Sequence, residues 1–244
     1  MALPLLFFPS SFLSSVSTLL IPELSQAHTL GENQTVNRAV QKALRVTLLM
    51  SIWLSGIFTV FAYDFGELLY NSQDVGFLLR VLAPLMPIMY LESIVDGMLK
   101  GLNQQMHSLW YNILDSAARI LLIITLVPHK GMVGFLFIMV LSNILTSYLN
   151  LQRLLKVTDV RMRWWEWTIK PLLAALVAAM GWNLIQQKVV IHKPILHISV
   201  GVGIMSVLFF AVSLILGVIK KEDLTDISPH RSSQKTLHFK SIQA

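Results

Sequence analysis

Cysteine is absent from the 244 residues. That excludes a disulfide framework, a thiol nucleophile and any cysteine-based zinc or iron–sulfur site. Charge is scarce too: 13% of residues are charged, against roughly a quarter in an ordinary soluble domain. Most apolar segments also lack the polar faces at helical period that a soluble helical bundle presents to water. There is no phosphate-cradling glycine loop, no GxSxG and no HExxH, and the seven histidines are scattered without ligand spacing. No catalysis, metal centre or cofactor is therefore expected.

What fills the chain is apolar sequence in long blocks. Hydrophobic residues make up 55%, and several blocks exceed the ~18 residues that cross a bilayer. Seven spans are readable, at 2–22, 46–62, 77–99, 108–127, 132–151, 171–187 and 195–218. Clusters such as Gly31-Glu32-Asn33, Asn71-Ser72-Gln73-Asp74, Gly101-Leu102-Asn103 and Pro128-His129-Lys130-Gly131 punctuate them. The expectation is an all-α, polytopic membrane helix bundle of about seven transmembrane helices. Residues 220–244 turn polar and serine-rich, which predicts a disordered tail.

The net charge of +6 does not imply nucleic acid as a partner, because the basic residues lie between the apolar spans. If the first span runs from outside to inside, the inner side holds Arg38, Lys42, Arg45, Lys100, Arg153, Lys156, Arg161, Arg163 and Lys170. The tail adds Lys220, Lys221, Arg231, Lys235 and Lys240. Only Lys130, Lys188 and Lys193 fall outside, while Arg80 and Arg119 lie within spans. This asymmetry predicts a multi-pass membrane protein with a cytoplasmic C-terminus. Met1 would then lie outside, directly before a span with no basic n-region to direct insertion. Upstream helices are therefore expected, with Met1 an internal methionine.

Three surface features follow. In residues 33–45, Arg38, Lys42 and Arg45 share one helical face and Val36, Ala39, Val40 and Ala43 the other. That pattern fits a short amphipathic helix attracted to anionic headgroups, or simply a basic cytoplasmic loop. Trp164, Trp165 and Trp167 read as interfacial anchors. Asp64, Glu67 and Asp74 make the first outer loop acidic.

Ionisable residues at membrane depth are the candidate site. They are expensive there and face a polar cavity or one another. Arg80 is close enough to the outer boundary to snorkel, and Asp96 lies near the inner one. Glu92 and Asp115 each sit roughly 12 Å inside, at ~1.5 Å per residue, and Asp115 and Arg119 are one turn apart. Glu92, Asp115, Arg119 and Asp96 are the candidates for a substrate- or ion-cavity. The same residues would equally serve as a buried ion-pair network that fixes helix packing. In the first span, Ser10, Ser11, Ser14, Ser15, Ser17 and Thr18 accompany Pro4, Pro9 and Pro22. Close helix packing or a bent, hydroxyl-lined cavity wall would both use them.

Several runs resemble a known family. Pro9-Ser10-Ser11-Phe12-Leu13-Ser14-Ser15-Val16-Ser17-Thr18-Leu19-Leu20-Ile21-Pro22-Glu23-Leu24-Ser25 is similar to the second helix of the C-terminal lobe of stage V sporulation protein B-like flippases. Gly66-Glu67-Leu68-Leu69-Tyr70 with Leu78-Leu79-Arg80-Val81-Leu82-Ala83-Pro84 resembles the next outer loop and helix entry. Asp96-Gly97-Met98-Leu99-Lys100-Gly101-Leu102 resembles the family's glycine–leucine turn, and Leu149-Asn150-Leu151-Gln152-Arg153-Leu154 the end of the lobe. The resemblance implies the second lobe of a fourteen-helix, MATE-like fold that works by alternating access. Residues 1–156 would be helices eight to twelve, 157–219 helices thirteen and fourteen, and 220–244 the cytoplasmic tail. It further implies a lipid-linked oligosaccharide or peptidoglycan precursor as substrate, a link to spore-envelope formation, and an N-terminal lobe supplied by the same full-length chain or a separate half.

Other readings compete. An ion-coupled multidrug extrusion antiporter is the nearest, and a non-transporting membrane scaffold for envelope assembly is a different class. A complete seven-helix receptor also matches the topology, although 195–218 lacks the lysine a retinal protein needs.

Overall fold

The computed structural model describes residues 2–187 and 194–218. Met1, the outer lysines Lys188 and Lys193, and the whole 220–244 tail lie outside the described residues. Among those described, every regular element is helical: α1 (Ala2–Thr29), α2 (Asn33–Val60), α3 (Ala62–Tyr70), α4 (Gln73–Leu82), α5 (Met86–Gly101), α6 (Gln105–Thr158), α7 (Lys170–Gln186) and α8 (Pro194–Ile215). A 3₁₀ turn at Ala83–Leu85 joins α4 to α5, and a π turn at Trp165–Ile169 leads into α7. Five segments are long and apolar enough to cross a membrane: Asn33–Val60, Gln73–Gly101, Gln105–Thr158, Trp165–Gln186 and Pro194–Ile215. The chain is an all-α polytopic bundle.

The longest helix is two rods. A straight α6 of 54 residues would run about 80 Å, far beyond a hydrocarbon core of ~30 Å. Gly131, at φ 56° and ψ −136°, breaks it. Hydrogen bonds then join Ser142 to Asp115 and Arg119, residues that a continuous rod would hold tens of ångströms apart. The two arms, 105–130 and 132–158, therefore fold back side by side. Two helical arms stand where two spans were expected, with a turn so tight that helix continues on both sides of Gly131.

The bundle is organised around α2. One core cluster joins α1, α2, α4, α5 and the end of α6 through Leu6, Leu24, Val40, Leu44, Leu79, Met86, Tyr90 and Leu154. Further along α2, Ile52 packs with Ala174, Ala178 and Phe209, and Ile57 and Phe61 pack with Trp182 and Met205. The α7–α8 pair is thus fastened to the distal half of α2. Trp53 adds a hydrogen bond from its indole to Ser206 (3.2 Å).

Three local expectations change. Residues 33–45 are no separate surface helix, for they continue unbroken into the rest of α2. Their apolar face is buried inside the protein by Val36, Val40 and Leu44, and periodicity alone does not distinguish protein from lipid as the covering. The acidic outer loop contains helix α3, which lies against α4 with backbones in direct contact. A Cβ on Gly66 would stand 2.7 Å from the Gly76 Cα, and Asn71 closes α3 in the left-handed conformation at φ 48°. Finally, the tryptophans divide: Trp164 and Trp165 are exposed, whereas Trp167 is a core residue packed in the main cluster.

Basic side chains gather at one end. Arg45 donates to the Val218 carbonyl, and Lys170 to the Leu216 carbonyl at 2.9 Å. Two cations thus meet the C-terminus of α8, where its carbonyls lack helical partners. Arg153 donates to Gln104 (2.6 Å), and Gly101 lies against Ile21 and Leu24 of α1. The starts of α2 and α7 and the ends of α1, α5, α6 and α8 therefore share this end.

Candidate functional site

The polar centre is built on α5 and both arms of α6. Asp115 is buried, its side chain 7% exposed, and is paired with Arg119 at 2.6 Å. The i, i+4 spacing places them on one face. Ser142, from the opposite arm, completes the group. Its hydroxyl accepts from the Arg119 guanidinium at 2.6 and 3.0 Å and donates to the other Asp115 carboxylate oxygen. Asp115 thereby has a partner on each oxygen, which a buried carboxylate requires. The Arg119 side chain is half-exposed, so part of its donor fork stays free for another group.

Glu92 lies on α5, roughly 14 Å from the Gly101 end. Asp115, Asp96 and Arg119 are all within its electrostatic reach, yet no direct hydrogen bond or ion pair joins Glu92 to any described residue. The sequence-expected trio is brought into one neighbourhood, with Asp115 and Arg119 bonded and Glu92 facing them unbonded. One turn along α5, Asp96 belongs to a second, shallower group. It accepts from Ser108 at 2.5 Å and pairs with Lys100 at 2.7 Å. A groove of about 730 Å³ opens beside this pair, walled by the first arm of α6 and continuing past Asn112 and Ser116.

The surface candidates separate. Arg38 and Lys42 are exposed on α2, whereas Arg45 is half-buried and turned to the α8 terminus. Arg80 lies over the Tyr63 ring, 5.7 Å from its centroid. Tyr90 of α5 donates to the Leu6 carbonyl of α1 at 2.7 Å. The side chains of Ser10, Ser14 and Ser17 lie outside the described residues.

Ser142 and Ser108 escaped the sequence reading because a lone serine in an apolar helix is common. A signal existed nonetheless. Ser142, Thr146 and Asn150 recur every four residues, and all three are buried, marking a polar stripe on an otherwise apolar arm.

No family model matches the chain. Stage V sporulation protein B of Bacillus subtilis (strain 168) is 22% identical over 231 residues, covering 93% of this chain and 44% of that protein. The chain thus spans less than half the length of this distant relative.

Proposed function

We propose that this chain forms one lobe of a bacterial plasma-membrane flippase that moves a lipid-linked oligosaccharide or cell-wall precursor by alternating access. The observation that carries the reading is the Glu92–Asp115–Arg119–Ser142 centre. Charges at membrane depth cost several kcal/mol unless paired or wet, and only part of this group is internally satisfied. Arg119 retains donors suited to a phosphate, and Glu92 retains acceptors suited to sugar hydroxyls or a coupling cation. A second lobe, from the same polypeptide or a separate one, would close the other side of the cavity. The similarity to stage V sporulation protein B over most of this chain supports that arrangement and a role in sporulation.

The test is translocation of a labelled lipid-linked disaccharide by proteoliposomes. They would contain the product isolated through a C-terminal tag at its own locus. Arg119→Gln and Glu92→Gln should each lower the rate at least tenfold, the loss of about one strong contact of ~1.4 kcal/mol or more, with rates compared per folded protein in the vesicles. Full translocation by both variants would overturn the proposal.

A further inference from the structure

We infer that the groove between the end of α5 and the first arm of α6 holds a bilayer phospholipid whose headgroup carries both a phosphate and a primary ammonium. This reading stands apart from transport, since it concerns binding at the shallower group.

Four observations meet in the groove. Its mouth carries a half-exposed, oppositely charged pair, Asp96 and Lys100 at 2.7 Å. Ser108 holds one Asp96 oxygen and is itself buried, which fixes the carboxylate in place. Lys100 keeps two donors for a phosphate, and Gln105 at the rim adds an amide. An ammonium on the same headgroup meets the Asp96 carboxylate. A purely anionic headgroup satisfies Lys100 and faces Asp96 with like charge.

The second observation is depth. Asp96 and Lys100 belong to the end of the bundle where the basic side chains gather, which is headgroup level under the positive-inside rule. Third, the groove then runs along an apolar lane formed by Leu109, Ile113 and Ile120. From Ser108 to Ile120 is about 18 Å of helix, close to one leaflet of a ~30 Å hydrocarbon core. An acyl chain anchored at Lys100 therefore ends where the lane ends. Fourth, Leu109, Ile113 and Ile120 are all exposed in the chain as it stands, so the lane is open to the lipid phase.

Native mass spectrometry of the full chain, released from detergent containing equal phosphatidylethanolamine and phosphatidylglycerol, tests this. The expected result is one retained phosphatidylethanolamine, favoured roughly tenfold over phosphatidylglycerol, the weight of one charge-assisted contact. Asp96→Asn should abolish the preference while retaining some lipid. Ile113→Trp, on an exposed position that leaves the core untouched, should expel the lipid by filling the lane. Equal retention of both lipids overturns the inference, as does retention unaffected by Ile113→Trp. So does a groove that stays empty because a second copy or another protein covers it.

Discussion

The hydroxyl of Ser142 receives two hydrogen bonds from Arg119 and gives one to Asp115, so three side chains share one electrostatic unit. Such units respond to deletion unevenly. Ser142→Ala removes hydrogen bonds but no charge, and hydrogen bonds between helices in membranes average ~0.6 and reach ~1.7 kcal/mol. Arg119→Gln instead leaves a buried carboxylate without its counter-charge, a loss on the order of 3 kcal/mol. Asp115→Asn in the Arg119→Gln background should then recover much of that loss, because an amide tolerates the site without a cation. Unfolding in mixed micelles of rising denaturant content would measure Ser142→Ala, Arg119→Gln, Asp115→Asn and the double variant against the unaltered chain. Additive losses for Arg119→Gln and Asp115→Asn would mean the two side chains do not interact, and the centre would dissolve into unrelated polar residues.

At the scale of helices, Gly131 decides whether α6 is one rod or two. Its φ of 56° with ψ −136° is open to glycine and closed to residues with a Cβ, although nothing lies within 4 Å of where that Cβ would be. Gly131→Ala should therefore destabilise by about 1–3 kcal/mol through backbone strain alone. Gly203, in the interior of α8 with equally open surroundings and no positive φ, is the control. There Gly→Ala should stabilise by roughly 0.5–1 kcal/mol. Opposite signs from the same substitution would locate the effect in the dihedral angles, and equal signs would refute the hairpin. This turn was legible as Pro128-His129-Lys130-Gly131, and the apolar runs around it were legible as spans. Helix α3 was not, because Asp64, Gly66 and Glu67 read as loop and only the Gly66–Gly76 backbone contact explains the glycine. Residues 33–45 misled for another reason: an apolar face at period 3.6 looks the same whether lipid or a neighbouring helix covers it. The charges of the site could be found by depth alone. The serine that joins them could not, since its partner lies across a fold of the chain.

For the whole molecule, the packing ties topology to charge in a way one labelling experiment can break. Asn103 follows α5 and Gly31 follows α1, and both helix ends meet at the basic end through Gly101 and Leu24. Asn71 separates α3 from α4 at the opposite end of the Gln73–Gly101 span, whose 29 residues extend about 43 Å. That is enough to clear both faces of a ~30 Å core. Because the chain has no cysteine, a single cysteine at either asparagine reports without background. Both positions are exposed, and both asparagines hold a positive φ, which cysteine adopts at a modest strain confined to a connecting turn. In intact cells, a membrane-impermeant maleimide should label Asn71→Cys and spare Asn103→Cys. In inverted vesicles the two should exchange. The basic residues at the Asn103 end then face the cytoplasm, as the positive-inside rule requires. Labelling of both from one side would mean that Gln73–Gly101 does not cross the membrane. The bundle would then be packed as described but seated otherwise, and Glu92 would lose the membrane depth on which its proposed role depends.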